Sequence, residues 1–339
     1  MALGENAPAG KSRLQVSAGA IHKLSALLTL LILIFIFSFG NAAFLSVNNG
    51  LTVLLQTCVI GLTGIGVTMV IITGGIDLSI GSVLALSGTA TGMLVKAGVP
   101  VIPAMLFGVL VGAACGLFNG FVITKMKITP FVATLGMMLI ARGTALQLTG
   151  AAPISRLGEA FGVLGNGSLF RVVEMRANGF PKVVFPGIPY PVILLAVVAV
   201  LAAYILRRRS IGRHITATGS NEEAARLSGV NVDRTKMLAY TMSGALAGLS
   251  GIVLMSRLVT AQPNEGVMYE LDAIAASVIG GASLMGGVGT ISGTMIGAFI
   301  IGVLRNGLNM AGVSAFIQQI VIGFVVILAV YVDQIRNRR

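Results

Sequence analysis

Few residues in this chain are equipped to do chemistry, and they lie far apart. Asp77 stands in the run Gly74-Gly75-Ile76-Asp77-Leu78-Ser79-Ile80-Gly81, between apolar stretches. The glycines let the backbone break there. A carboxylate beside Ser79 then suits either a cap on the next helix or a charged gate within a polar route. Arg142 and Arg305 lie in or near other apolar runs, where a charge must pair with a carboxylate or sit at an interface. Asp272 ends an acidic stretch that also holds Glu265 and Glu270. Asn119, Gln147 and Asn306 are uncharged donors and acceptors in apolar surroundings. They suit a polar route, and suit helix-to-helix hydrogen bonds equally well. Asp77, Ser79, Asn119, Arg142, Gln147, Asp272 and Asn306 are therefore the candidate pathway or gating residues.

Catalysis has little to build on. The two histidines are His22, in the basic leader, and His214, in a basic segment, so solvated or interfacial roles fit both. There is no metal-spaced Cys/His cluster, no nucleophile elbow and no close carboxylate pair in one span. Cys58 and Cys115 fall inside apolar runs and read as buried small hydrophobes. Gly10-Lys11-Ser12 imitates the end of a phosphate-binding loop, but Glu5 stands where that pattern needs Gly and no strand precedes it. No catalytic residue, metal or resident cofactor is expected on this chain.

The strongest local signal is a charged island at 207–236, from Arg207-Arg208-Arg209 to Asp233-Arg234-Thr235-Lys236, with apolar runs on both sides. A stretch this polar cannot lie in hydrocarbon. Inside it, Ser220 followed by Glu223 matches a capping box, and Gly229 is a natural stop. The pattern predicts a two-turn helix, Asn221 to Ser228, with Ala224, Ala225 and Leu227 as a small apolar surface. An isolated helix that short is marginal in water, so other contacts must hold it. It either lies on its own membrane domain or docks on another protein.

The elements that position these residues follow from composition. Hydrophobic residues make up 55% of the 339, charged residues 10%, and the mean hydropathy is +0.95. Soluble domains carry about 25% charged residues, so the fold class is an all-α polytopic membrane protein. The net charge of +12 falls mainly between apolar runs, as topology signals rather than a nucleic-acid surface. Apolar runs at 24–39, 51–73, 79–96, 101–123, 130–150, 190–206, 237–258, 272–285, 289–305 and 314–332 predict about ten transmembrane helices, some short or broken. The first run could instead belong to a cleaved signal peptide, although its charged leader is long for one.

An even count puts both termini on one side. Lys11, Arg13 and Lys23, the Lys125/Lys127 turn, the island and Arg336, Arg338 and Arg339 all place that side in the cytoplasm. The expected organisation is a basic leader 1–23, one transmembrane domain 24–333 with an outside loop near 151–189 and the cytoplasmic island near 207–236, and a basic tail 334–339. Gly108, Gly112, Gly116 and Gly120 recur every fourth residue and stack on one helix face; Gly293 and Gly297 repeat the spacing. Such a ladder serves a dimer or moving interface, or tight packing inside one subunit.

Several longer segments carry a family resemblance. They are Gly75-Ile76-Asp77-Leu78-Ser79-Ile80-Gly81, Thr129-Pro130-Phe131-Val132-Ala133-Thr134-Leu135-Gly136, Gly212-Arg213 with Asn221-Glu222-Glu223-Ala224-Ala225 and Ser228-Gly229-Val230, Glu270-Leu271-Asp272-Ala273-Ile274-Ala275-Ala276, and Gly280-Gly281-Ala282-Ser283-Leu284-Met285-Gly286-Gly287-Val288-Gly289-Thr290. Through these, nearly the whole chain after residue 40 resembles the permease subunit of bacterial ABC importers, in the branch handling ribose, xylose and galactosides. Ala282 departs from the Thr of many relatives. The resemblance implies an inner-membrane subunit that forms a pathway for a monosaccharide or similar small polar solute. It implies a second permease subunit, a periplasmic solute-binding protein and a cytoplasmic ATP-binding subunit that holds ATP and Mg. It also implies that Arg213, Asn221, Glu222, Glu223, Ala224, Ala225 and Gly229 belong to the element that couples to the ATPase. The competing readings are a secondary transporter or channel working without an ATPase, and an ABC permease for a non-sugar solute. A membrane enzyme lacks the catalytic cluster it would need.

Overall fold

The structure, a computed structural model, describes residues 11–175 and 181–337. The first ten residues of the basic leader, Gly10 of the phosphate-loop look-alike, Arg176 of the outside loop, and Arg338 and Arg339 of the tail lie outside the described residues.

Among those residues the chain forms thirteen α-helices. They are α1 (Lys11–Gly40), α2 (Val47–Ile72), α3 (Ile80–Lys96), α4 (Val101–Lys125), α5 (Pro130–Thr149), α6 (Glu159–Asn166), α7 (Tyr190–Arg208), α8 (Ser210–Ser220), α9 (Glu222–Leu227), α10 (Val232–Leu258), α11 (Tyr269–Ile279), α12 (Ile291–Met310) and α13 (Ala315–Asn337). Six of them, α2, α4, α5, α7, α10 and α12, are long and apolar enough to cross a membrane; Leu24–Gly40, Ile80–Lys96 and Ala315–Leu328 are shorter apolar helices. The run expected at 272–285 differs most. Its helix, α11, has 11 residues, about 16 Å at 1.5 Å per residue, which is half a membrane core. Glycines end it: Gly280 caps it, and Gly281, Gly286 and Gly287 adopt positive φ in the loop that follows.

The 151–189 region holds more structure than a plain loop. Besides α6 it carries strands β1 (Ser168–Leu169), β2 (Val172–Met175), β3 (Pro181–Phe185) and β4 (Ile188–Pro189). β1 pairs antiparallel with β4, and β2 with β3, as one nested hairpin. α6 is tied to the far end of α10, where the Gly165 N–H donates to Ser256 Oγ at 2.8 Å and Ser256 Oγ donates to the Phe161 carbonyl. The molecule thus has a hairpin end, bearing α6 and β1–β4, and an island end, bearing α8 and α9.

α2 is the central post, buried over most of its length, whereas α4, α5 and α7 present Leu110, Ile140 and Val200 outward. Apolarity alone does not separate these roles, because lipid tails are as apolar as Leu. Small and hydroxylated residues do. Thr68 of α2 bonds Ser277 of α11 at 2.9 Å and Thr294 of α12 at 2.6 Å. The glycine ladder of α4 faces α10 within the same chain. A Cβ on Gly112 would meet the Gly244 carbonyl, and one on Gly116 the Tyr240 carbonyl. Gly293 and Gly297 pack likewise against Gly280 and Ala276 of α11. Both ladders serve close packing inside one subunit.

Two helices begin inside the bundle. After α2 ends, residues 73–79 run back between helices, and the Ile76 carbonyl accepts from Tyr240 Oη at 3.4 Å and Thr134 Oγ1 at 3.3 Å. Asp77 bonds Ser243, which lies eleven residues into α10, so α3 starts about 16 Å from the island end. From the hairpin end, residues after α10 descend beside α3, from the Ile154–Ala261 bridge to Gly266, whose carbonyl abuts Gly81. α11 starts there. Glycine is needed at both contact points, because a Cβ on either Gly81 or Gly266 would collide with the other's backbone.

Candidate functional site

At the island end, α9 is a single capped helix. Asn221 is its N-cap, its side-chain oxygen accepting from Ala224 N at 2.9 Å. This corrects the capping-box reading. Ser220 is the last residue of α8, a helix the sequence reading did not place, and its hydroxyl donates to the Thr216 carbonyl at 2.9 Å. A residue with helical backbone cannot also serve as the extended N-cap of the next helix. Gly229 closes α9 at φ +83°, which glycine adopts without strain.

The expected coupling residues divide by direction. Ala225 is buried at 5% exposure and anchors α9, whereas Glu222, Glu223, Ala224 and Gly229 are exposed, and so is Arg213 on α8. Leu227 is 85% exposed. Glu222 accepts from Lys236 and from Arg226, the latter at 3.3 Å. The Lys236 hydrogen bond, more than any other influence, holds the Glu222 carboxyl below its ordinary value. Asp233 gathers Lys125 at 3.0 Å, Lys127 at 3.7 Å and Arg226 at 3.8 Å. An ionic network therefore joins α9 to the first turn of α10 and to the α4–α5 turn. Exposed pairs contribute little stability singly, about 0–1 kcal/mol, so the network acts mainly by fixing orientation.

Three distant parts of the chain meet beside α8. The Gly287 N–H donates to the Ile72 carbonyl at 2.8 Å. Gly219 packs against both groups, and Gly286 lies against the Gly219 carbonyl and Gly74. The island, the end of α2 and the glycine loop before α12 share one junction with no room for a side chain at Gly219.

Inside the bundle, the structure brings Asp77, Ser79 and Asn119 together. Asp77 Oδ1 accepts from Ser79 N at 3.0 Å and Ser79 Oγ at 2.6 Å; Asn119 Nδ2 donates to Ser79 Oγ at 3.0 Å. Asp77 Oδ2 accepts from Ser243 Oγ at 2.8 Å. Ser243 was missed by sequence reading, since nothing local marks it; only the packing of α10 against α2 and the 73–79 segment sets it opposite residue 77. The formal N-cap of α3 is Ser79, whose hydroxyl bonds Asp77 and Asn119 and none of the N–H groups of the helix's first turn. Asp77 instead closes a turn just before α3, at 1% exposure. Buried Asn119 Oδ1 has no partner among the described residues.

The other candidates stand apart. Arg305 Nη2 donates to both oxygens of buried Asp272, at 2.8 and 2.6 Å. Asn306 pairs with Asn49 of α2 at 3.0 Å. Arg142 Nη1 donates to the carbonyls of Pro263 and Glu265 at 2.6 and 2.7 Å, pinning the segment that descends toward α11. Gln147 lies exposed on α5. Asp77, Ser79 and Asn119, and separately Arg142, thus hold irregular segments, whereas Asp272 and Asn306 tie helices to one another. Among the described residues, no group of His, Cys, Asp or Glu could hold a metal ion.

Comparison with known proteins gives the chain its relatives. The family model described as branched-chain amino acid transport system / permease component matches residues 49–330. The chain is 44% identical over 316 residues to the ribose import permease protein of Bacillus subtilis (strain 168), covering 93% of this chain and 94% of that one. It is 43% identical over 308 residues to the ribose import permease protein of Escherichia coli (strain K12), covering 91% and 92%. With the xylose transport system permease protein of Haemophilus influenzae (strain ATCC 51907 / DSM 11121 / KW20 / Rd) it shares 34% over 345 residues, covering 88% and 92%. No solved structure matches the chain. A bundle broken at Asp77 and before α11, with a capped helix held outside it, is thus the form taken here by a transport subunit, and the chain belongs to the family of ABC-importer permease components.

Proposed function

We propose that this chain is the membrane-spanning subunit of an ATP-driven importer in the bacterial inner membrane, carrying a monosaccharide or similar small polar solute. The names of the ribose and xylose relatives support the solute class. The observation that carries the coupling assignment is α9: capped, anchored through Ala225 and Glu222, and offering an 85% exposed Leu227 with Glu223 beside it. A single exposed leucine is ordinary on a surface; the weight rests on a helix too short to persist alone being capped and anchored so that one face stays fixed outward. In this reading a separate cytoplasmic subunit binds ATP and Mg and receives α9, with Arg213 on the flanking α8. A periplasmic binding protein delivers the solute to the hairpin end, and a second permease subunit completes the pathway.

The proposed organisation counts ten membrane segments: α1–α5, α7 and α10–α13. α3 and α11 both start inside the bundle, α11 as a half-helix, and both termini lie in the cytoplasm, with leader 1–23 and tail 334–339 around the domain 24–333. Irregular backbone at that depth is tolerated only inside protein, and 1% exposure at Asp77 and Ser79 meets that condition. Pulling on the Gly219–Ile72–Gly287 junction would carry ATPase closure from α8 to α2 and α12.

Reversing both Glu222 and Glu223 to Lys in the reconstituted assembly tests the reading. ATP hydrolysis should persist while solute uptake falls to background, with the subunit still in the membrane. Full ATP-dependent uptake by the double variant would overturn the docking assignment.

A further inference from the structure

A cavity of about 230 Å³ opens among α2, α10, α11, α12 and α13 near the hairpin end, away from the Asp77 cluster and from α9. At the liquid volume of water it would hold roughly eight molecules, the scale of one small ring rather than an oligosaccharide. Its polar wall comprises Gln56, Arg257, Tyr269, Asp272, Arg305 and Asn309. Val59 and Leu254 supply an apolar patch beside the Tyr269 ring.

Two buried polar atoms in that wall lack partners among the described residues: Gln56 Oε1, an acceptor, and Arg305 Nε, a donor. Leaving such atoms unmatched costs about 1–3 kcal/mol each, so the occupant should satisfy both. The charges narrow it further. Arg257 and Arg305 together exclude a cation. Asp272 is already neutralised by Arg305, which leaves the single guanidinium of Arg257, better matched to a neutral polar group than to a multiply charged anion. A neutral polyhydroxylated molecule meets every condition, since each hydroxyl both donates and accepts. The planar Arg–Asp pair and the Gln and Asn amides suit adjacent hydroxyls, and the apolar patch suits the C–H face of a ring.

We infer that this cavity is a holding site for the sugar within each permease subunit, built by Gln56, Tyr269, Asp272, Arg305 and Asn309. The inference rests on the proposed import of a monosaccharide. It adds that the solute is bound by a single subunit, at the hairpin end.

The test uses the purified full-length subunit in nanodiscs, without binding protein or ATPase, and tritiated ribose, xylose or allose, whichever the complete assembly imports. Saturable binding is expected, weakened roughly tenfold by Gln56→Leu and by Asn309→Leu, each of which removes about one hydrogen bond. Neither substitution breaks the Asp272–Arg305 pair, and a melting curve for each variant checks that it folds. Import by the assembly without saturable binding to the isolated subunit overturns the site and leaves the import reading standing. So does binding that both variants retain, or binding that inorganic phosphate displaces. Import of none of the three sugars overturns the import reading and the inference with it.

Discussion

Replacing Gly116 by Ala puts a methyl group where the Tyr240 carbonyl already lies, and Gly112→Ala puts one against the Gly244 carbonyl and the Gly248 backbone. Two effects of opposite sign compete. Ala is the better helix former, by about 0.5–1 kcal/mol. Against that, α4 and α10 form the most extensive helix pair in the molecule, and their backbones must separate to admit the methyl group. Overpacking of this kind costs roughly 1–3 kcal/mol. The obstructing atoms are backbone, so they cannot swing aside as a side-chain tip would, and the upper half of that range applies. The net expectation is a loss of about 1–2 kcal/mol per site. Gly136 and Gly143 are matched controls on α5, since a Cβ there meets nothing within 4 Å. Ala at either should be neutral or slightly stabilising, because only propensity changes. The chain has no Trp, so unfolding of the detergent-solubilised subunit is best followed with a thiol-reactive dye that reports release of buried Cys58. The melt should drop by a few degrees for Gly112→Ala and Gly116→Ala and hold or rise for Gly136→Ala and Gly143→Ala. Equal shifts in the two pairs, or stabilisation at position 116, would refute the packing argument.

The same melt tests the buried ion pair: Asp272→Leu strands the Arg305 guanidinium and should cost about 3–5 kcal/mol, while adding Arg305→Leu should recover part of that loss. Asn221→Ala removes the cap of α9, worth about 1 kcal/mol to the helix, and should reduce uptake per ATP hydrolysed; Ser220→Ala should leave that ratio unchanged, and the opposite ranking would restore the capping box. Glu222 titrates below its ordinary value of 4.5 because Lys236 hydrogen-bonds its ionised form. Its contribution to stability is therefore complete above that value and fades as pH falls through the lowered one. Hydrogen exchange in α9 should accelerate over that acid window, and Glu222→Gln should flatten the response; an unchanged pH profile in the variant would remove Glu222 as the cause.

Chain segments that act locally were legible in the sequence. Each apolar run contains a helix, since away from water the backbone must satisfy its own polar groups, but six are long and apolar enough to cross a membrane and the run at 272–285 is helical only to Ile279. Gly229 ends α9 as its local chemistry predicts, but the N-cap is Asn221 and not the expected Ser220, because Ser220 is taken up by the last turn of α8. Even the ladder at Gly108–Gly120 announced a close approach, since nothing but another backbone needs four glycines on one helix face. Tertiary structure decided the partners. It turned that ladder toward α10 of the same chain, set Ser243 opposite Asp77 and joined Arg305 to Asp272, 33 residues away. It also left Gln147 on an exposed face. A polar residue in an apolar run declares only that it needs a hydrogen-bond partner. Which helix brings that partner depends on how the whole bundle packs, and no spacing within one helix records that.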